Sequence, residues 1–296
     1  MPEAESGSES PPETDKTVGI GLPVYNNSRH LSSALDSILN QTYTNLIVYL
    51  VDDRSTDNTR QICEHYAEQD SRIRFVENEQ NLGEIGNYQK VLDMADTEYF
   101  MFARGHEILP ENLLQDCVDI LEEDKEVVLA FAKTVWIDED NKPIKDKSLS
   151  YFDTRGCDVF SRCTLVFWGK YEYFYGVTRT RTMQSIKALE PIIATDLIML
   201  FEMALRGSFA HINSGERQRR YYYDNETYDE RIKRYQKILY QDIGFMDKYF
   251  PFAKLPFILF SCVFRSSHKI ISKLLLFMVI IFNAPIRYIT ARGKSL

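Results

Sequence analysis

The sequence predicts an α/β protein built on an open, mostly parallel sheet with helices on both faces. Three observations lead there. Short apolar runs alternate with segments of helical period from Thr17 onward, the apolar runs stop abruptly, and Asn, Asp and Arg cluster where they stop. Alternation of strand and helix implies crossover connections, which give parallel strands covered on both sides. Ligands of such sheets bind beyond the carboxyl ends of the strands, so function is expected at those polar stops.

The elements follow in order. "TVGIGLPVY" (17–25) and "NLIVYLVDD" (45–53) read as the first two strands. Between them Leu31, Ala34, Leu35, Ile38 and Leu39 keep the spacing of an amphipathic helix. A second helix is expected over about 57–69 and a third over about 85–95, with the strand "RIRFVE" (72–77) between them. "EYFMFA" (98–103) is the fourth strand, and it runs into Arg104-Gly105-His106-Glu107. "EVVLAFAKTVWIDEDNKPI" (126–144) supplies another strand. Beyond it the pattern is irregular until the apolar helix "DLIMLFEMALRG" (196–207), which closes on Gly207. "SFAHIN" (208–213) and "RQRRYYY" (217–223) read as two short strands, and a charged helix follows at about 227–247.

Composition narrows the class. The 296 residues carry a net charge of −8, which argues against a general nucleic-acid binder. The charge is uneven: residues 251–296 hold seven Lys or Arg and no acid, leaving a net of −15 on the rest. Five scattered cysteines without a C-x-x-C pair form neither a disulfide framework nor a zinc site, as expected of a reducing cytoplasm. "MPEAESGSESPPETDK" (1–16) has no apolar stretch and reads as a disordered acidic tail. In the last segment (248–296), "LPFILFSCVF" and "LLLFMVIIF" are each short of the ~20 apolar residues a bilayer requires. Apolar stripes with basic neighbours suit a helical element lying in the interface of an anionic membrane, and a pair of helices packed on the core or a dimer contact is the alternative.

Three stretches carry the chemistry: "PVYNN" (23–27), "VDDRSTDNT" (51–59) and "NEQNLG" (78–83). A helix cap on Ser55, Thr56 or Asp57 explains part of the second but not the paired Asp52 and Asp53 at a strand end. Together with "SILNQTY" and "NLGEIGNYQKVLDMADTEYF", these stretches resemble the inverting glycosyltransferases of family 2, which have the GT-A fold. The likeness runs from about Thr17 to Tyr223. It implies a domain over 17–247, with a nucleotide-sugar half (17–125) and an acceptor half (126–247). By that resemblance Tyr25 lines the base pocket, Asp53 accepts from the base or ribose, and Arg72 lies near the nucleotide. Pro23, Asn26 and Asp52 share the same binding edge. An aromatic face and a carboxylate acceptor suit a base with an N–H to offer.

Family members usually carry D-x-D after the fourth strand, where two carboxylates hold a divalent metal, Mg or Mn, on the diphosphate. Here the matching residues are Arg104 and His106, with Glu107 beside them. Arginine opposes a metal but binds phosphate oxygens through its planar fork, and histidine ligates as imidazole or assists as a cation. Three readings stand: a weakened metal site on His106 and Glu107, a metal-independent site using Arg104 and His106 as cations, or an inactive site. The resemblance places the catalytic base at Asp196, which alternatively only favours its helix start. Glu202 is expected to be structural. Arg219 and Arg220 either contact the diphosphate, Arg220 being assigned to substrate, or decorate an edge strand. His30 and His65 are expected on helix surfaces, and Trp136 and Trp168 in the core, with a platform for acceptor sugar rings as the alternative.

The function expected is transfer of a UDP- or GDP-linked sugar, with inversion, to a saccharide or lipid-linked hydroxyl in cell-surface polysaccharide or glycolipid synthesis. The place expected is the cytoplasm, peripheral at the inner face of the cell membrane. The competing expectation is a non-catalytic protein of the same fold. A nucleotidyltransferase would need a glycine-rich phosphate loop after the first strand, which "PVYNNSRH" is not.

Overall fold

A computed structural model describes residues 16–144, 152–169, 172–186, 194–220 and 253–293, with Glu230 and Lys233 standing alone. The acidic tail up to Asp15 and nearly all of the charged helix expected at 227–247 lie outside the described residues.

The chain order is β1 (Val18–Val24), α1 (Leu31–Leu39), β2 (Leu46–Asp52), α2 (Thr59–Gln69), β3 (Ile73–Glu77), α3 (Gly83–Asp93), β4 (Tyr99–Phe102), β5 (Glu107–Ile108) and α4 (Leu113–Glu123). It continues with β6 (Val127–Ile137), α5 (Val159–Trp168), a 3-10 turn (Glu172–Tyr175), β7 (Val177–Arg179), α6 (Thr180–Ser185), α7 (Thr195–Ala204) and β8 (Ser208–Arg220). Two helices close it, α8 (Leu255–Arg265) and α9 (Ile270–Gly293). One sheet takes the strands in the order β3-β2-β1-β4-β7-β6-β8-β5. The pairings set β1, β2, β3, β4, β6 and β8 in one direction and oppose β7 and β5 to them. The sheet is therefore mostly parallel, as expected, with antiparallel insertions in its second half. The expected pair "SFAHIN" and "RQRRYYY" forms one strand, β8, as far as Arg220, and residues 221–223 lie outside the described residues. It follows β6 through an irregularity in which Ala132 pairs with Ile212 and Lys133 with Glu216. A strand that long is held by its partner and not by its own pattern, which the Asn213-Ser214-Gly215 interruption had broken.

Strand alternation sorts the core into two layers. Val48, Leu50, Tyr99 and Met101 face a layer closed by α1, α2 and α4 through Leu31, Leu35, Cys63, Leu114 and Val118. Tyr49, Val51, Phe100 and Phe102 face the other layer, closed by α3, α5 and α7. On β1 the second face carries Gly19 and Gly21. A Cβ on Gly21 would lie 2.6 Å from Phe100, so glycine makes the room in which that ring packs.

The final two helices join this second layer. Leu255, Leu259, Cys262, Val263, Leu276 and Ile280 are buried against α5 and α7, which supports core packing for the inner face of the C-terminal segment. Its outer face remains in solvent, with Phe257 73% and Phe264 74% exposed and Ile270, Ile271 and Phe282 beside them. Trp168, expected in the core, is exposed and donates its indole N–H to Asn283 at 2.7 Å, tying α5 to α9. No helix among the described residues is long and apolar enough to cross a membrane.

Candidate active site

The direction of the strands decides which residues share an edge. Tyr25, Asp53, Asn78 and Arg104 follow the carboxyl ends of β1, β2, β3 and β4. Tyr175 and Glu107 arrive at the same edge because they lie at the amino ends of the two reversed strands, β7 and β5. Asp196, in the first turn of α7, is partly exposed and acts electrostatically on the Tyr175 and Tyr88 phenols.

The first half of the edge is a closed hydrogen-bond network. Pro23 is the penultimate residue of β1, in register with Val51, and Tyr25 is 48% exposed, an aromatic face open to solvent. Asn26 turns the chain with φ +50°, a left-handed conformation that Asn tolerates. Its side-chain Oδ1 accepts from the Thr56 N–H at 2.8 Å and its backbone N–H donates to Ser55 Oγ at 2.9 Å. Asn27 N–H donates to Thr59 Oγ1 at 2.7 Å, and Ser28 N–H to Asp57 Oδ2 at 3.2 Å. Asp52 is fully buried and accepts from both the N–H and the hydroxyl of Ser55. Burial pushes its carboxyl up despite those bonds. Asn26 and Asp52, expected as substrate ligands, are thus the fasteners that hold one loop to the other. Burial would raise the Asp57 carboxyl, but hydrogen bonds from Thr59 and Ser28 outweigh it and bring it down to about 2.

Asp53 is held by one of its two oxygens. Its Oδ1 accepts from Asn78 Nδ2 at 2.8 Å and the Leu82 N–H at 2.7 Å, while Oδ2 accepts no hydrogen bond among the described residues. Asn87, which sequence reasoning missed, braces Asn78 at 3.1 Å and donates to the Val51 carbonyl at 3.2 Å. An Asn pointing inward from an otherwise amphipathic helix is the signal that could have found it.

Arg72 does not belong to this edge. It precedes β3, so it lies at the amino end of the sheet, where it pairs with Asp70 at 2.7 Å and donates to the Leu39 carbonyl at 3.0 Å. It joins the ends of α1 and α2, at the opposite end of the strands from Tyr25 and Asp53.

The second half of the edge is built from guanidinium groups. Gly105 packs against Asn27, with an added Cβ lying 3.2 Å from its side chain, so the Arg104–His106 turn sits beside the Tyr25 loop. Arg104 donates Nε to the Tyr175 hydroxyl at 2.6 Å, donates a second nitrogen to the same oxygen, and lies 4.4 Å from the ring centroid. Tyr88 approaches the same hydroxyl at 3.3 Å. Burial raises the Tyr175 phenol well above its ordinary range, against the pull of Arg104, so it keeps its proton. Tyr175 was invisible to sequence reasoning because nothing local shows that its strand is reversed.

Glu107 is not a metal ligand in this arrangement. It is buried, and the antiparallel register that sets it opposite Arg219 brings Arg217 and Arg219 to its two oxygens, each at 3.6 Å. Burial would raise its carboxyl, but Arg217 and Arg219 hold it below the ordinary range. Arg217 also donates to Thr134 Oγ1 at 2.8 Å and to the Tyr175 carbonyl at 3.1 Å, and Arg219 lies 4.7 Å from the Trp136 ring. Trp136 is thus a support for arginine. Arg220 donates to the His106 carbonyl at 3.0 Å and to the Asn141 side chain, so it fixes the turn from beneath. β8 lies between β6 and β5, so these arginines do not decorate an open edge. Burial lowers His106 to about 4, with Arg104, Arg219 and Arg220 reinforcing and Glu107 opposing. At neutral pH it is a neutral imidazole, and the positive charge here comes from arginine alone. His30 sits close enough to Arg220 for that charge to lower it further after burial has done so, so its helix start faces the site region. Glu202 is buried and pairs with Arg206 at 3.0 Å, the structural role expected of it.

A divalent metal does not fit this donor set. One D-x-D position is a guanidinium, the nearest carboxylate is held between two others, and no three His, Cys, Asp or Glu side chains group to hold a metal among the described residues.

Comparison with known proteins agrees with the geometry. The family model for glycosyl transferase family 2 matches residues 20–206. The glycosyltransferase GlyG of Streptococcus pneumoniae is 32% identical over 113 residues, 38% of each chain. UDP-Glc:alpha-D-GlcNAc-diphosphoundecaprenol beta-1,3-glucosyltransferase WfgD of Escherichia coli is 34% identical over 101 residues, 34% of this chain and 39% of the relative. These matches span well under half of each relative's length. Among solved structures, S. aureus TarS 1–349 in complex with UDP-GlcNAc superposes with a TM-score of 0.67 at 14% identity, covering 90% of this chain and 71% of that one. Mannosyltransferase PcManGT of Pyrobaculum calidifontis, in complex with GDP-Man and Mn2+, does so at 0.56 and 16% identity, covering 94% and 84%. The fold they share with this chain is GT-A.

Proposed function

The chain belongs to glycosyl transferase family 2, and from that premise we propose that it moves a sugar from a nucleotide-sugar donor to an acceptor hydroxyl with inversion. The observation that carries this reading is the junction at Asn27 and Gly105. It brings the Tyr25 and Asp53 loops beside the Arg104 turn, with Asp196 acting on the Tyr175 that orients Arg104, which supports base binding by the first and phosphate binding by the second. Tyr25 offers area for stacking, and Asp53 Oδ2 accepts from a base or ribose. Asp196 takes the proton of the acceptor hydroxyl as that oxygen attacks the anomeric carbon, and the nucleoside diphosphate leaves from the opposite side. The donor base is uracil or guanine, in line with TarS bound to UDP-GlcNAc and PcManGT bound to GDP-Man. The acceptor is a saccharide or lipid-linked hydroxyl of a cell-surface polymer, in line with WfgD and with TuaG, a putative teichuronic acid glycosyltransferase of Bacillus subtilis. The test is hydrolysis and transfer over a panel of UDP- and GDP-sugars. Release of diphosphate from one donor supports the reading. Tight binding of a donor without release supports the second reading, a non-catalytic nucleotide-sugar binder, which the arginine at the D-x-D position favours.

We propose further that the outer face of α8 and α9 rests on the inner, anionic surface of the cell membrane, which brings a lipid-linked acceptor to the site. Large apolar side chains such as Phe257, Phe264, Ile270 and Ile271 stand exposed there beside Arg265, Lys269 and Lys273. That face suits an interfacial element, with apolar groups entering the headgroup boundary and cations meeting anionic lipid. Co-sedimentation with phosphatidylglycerol vesicles, lost on zwitterionic vesicles and in Phe257→Ser/Phe264→Ser, is the result expected. A stable dimer that ignores vesicles would overturn it.

A further inference from the structure

Family 2 enzymes usually meet the charge of the leaving diphosphate with a metal on D-x-D, and here the donor set does not fit one. What stands in its place is a cluster of guanidinium groups. Arg217 and Arg219 share one buried carboxylate, Glu107, at 3.6 Å, a distance of Coulombic contact and not of hydrogen bonding. Arg220 lies under the His106 turn and Arg104 ahead of it. Glu84 and Asp196 are further acids that act on Arg104, Tyr88 and Tyr175, so the edge gathers guanidiniums and carboxylates closely around Arg104.

Arg104 is the forward member. Two of its nitrogens are committed to the Tyr175 hydroxyl, and its third, Nη1, makes no hydrogen bond among the described residues. The Tyr175 ring lies against the guanidinium at 4.4 Å and the Arg217 guanidinium lies 5.1 Å from that ring. The fork is thereby fixed in orientation before a donor binds, which spares the reorganisation a flexible cation would undergo. A planar guanidinium matches phosphate oxygens and repels a metal ion.

Building on the donor reading above, we propose that this chain neutralises the leaving diphosphate with Arg104, backed by Arg219, in place of a divalent metal. As the bond from the anomeric carbon to the terminal phosphate oxygen breaks, its electron pair stays on that oxygen. The new bond forms to the acceptor oxygen, whose proton goes to Asp196. The diphosphate gains one negative charge, and Arg104 meets it. Tyr175 is a positioning residue for that group.

The experiment is titration calorimetry of the full chain with UDP, GDP, uridine and guanosine, in excess EDTA and again with Mn2+. One diphosphate is expected to bind in EDTA with an affinity that Mn2+ changes by less than about threefold. Arg104→Gln is expected to weaken it about 10- to 100-fold, the worth of a hydrogen bond to a charged group, while the matching nucleoside binds unchanged. Arg104→Lys should recover part of the loss, and Tyr175→Phe, which keeps the charge but frees it, should lose several-fold. Binding that tightens tenfold or more with Mn2+, or that ignores Arg104→Gln, overturns the proposal and leaves the donor reading standing. Failure of both diphosphates with and without Mn2+ overturns the donor reading and this proposal with it.

Discussion

The two halves of the binding edge are stabilised in opposite ways. Around Tyr25 and Asp53 nearly every polar group has a short partner: Asn26 to Thr56, Asp52 to Ser55, Asp57 to Thr59 and Asn78 to Asp53. Around Arg104 the charges are buried but loosely met, with one carboxylate at 3.6 Å from each of two arginines. The first half is a finished mould, suited to reading a flat base with few donors. The second holds like charges together, an arrangement that an anionic ligand relieves. Satisfied networks rigidify, whereas under-met buried charge strengthens the interaction with whatever neutralises it.

The largest effect is expected where the second half meets the acceptor. Asp196→Asn should lower kcat by about 10²- to 10⁴-fold, the usual worth of a general base, with diphosphate affinity unchanged by calorimetry. If kcat and affinity fell together, Asp196 would belong to the donor pocket.

Glu107→Gln should cost about 3–5 kcal/mol in denaturant unfolding, since it removes the buried carboxylate that Arg217 and Arg219 both face. Added inorganic pyrophosphate should restore part of that loss in the variant. No restoration would mean that the arginines are walled off from the edge.

Asp53→Ala should cost about 1–3 kcal/mol through the unmet Asn78 amide and Leu82 N–H. It should also weaken binding of the matching nucleoside, which Arg104→Gln leaves alone. The two variants thus separate base from phosphate.

The smallest effect is in acid, where the halves titrate in different windows. Folded His106 sits at about 4 against about 6.5 unfolded. The unfolded chain takes the proton first, so stability drops as pH falls from about 6.5 to about 4 and then levels. Folded Asp57 sits at about 2 against about 4 unfolded, so its contribution is present above pH ~4 and disappears only toward pH ~2. Each is worth about 1 kcal/mol after allowance for partial exposure. His106→Asn should flatten the upper window and Asp57→Asn the lower. A single shared window would merge the two halves.

Legibility in the sequence follows the same divide. Strands β1 to β4 and helices α1 to α3 fall within about two residues of their expected places, because period-two and 3.6 patterns are local properties of a half-buried segment. Pro23, Tyr25 and Asp53 were found at a strand end, where the parallel topology puts ligands. Arg72 was misplaced because a residue before a strand lies at the other end of the sheet from a residue after it. Asn26 and Asp52 were correctly placed at the edge, but their partners, Thr56 and Ser55, spend them on holding loops together.

By itself the sequence determined the alternation of elements from β1 to β4, a sheet covered by helices on both faces, the carboxyl edge as the expected place of function, and the loss of a carboxylate where Arg104 stands. Tertiary structure alone decided that β5 and β7 run backward, that β8 is one strand, and that Glu107 is closed between Arg217 and Arg219. It alone decided that Tyr175 is the anchor of Arg104. The physical reason is separation along the chain: Arg104 and Tyr175 are 71 residues apart, and only strand register brings them together. No periodicity records a pairing over that distance.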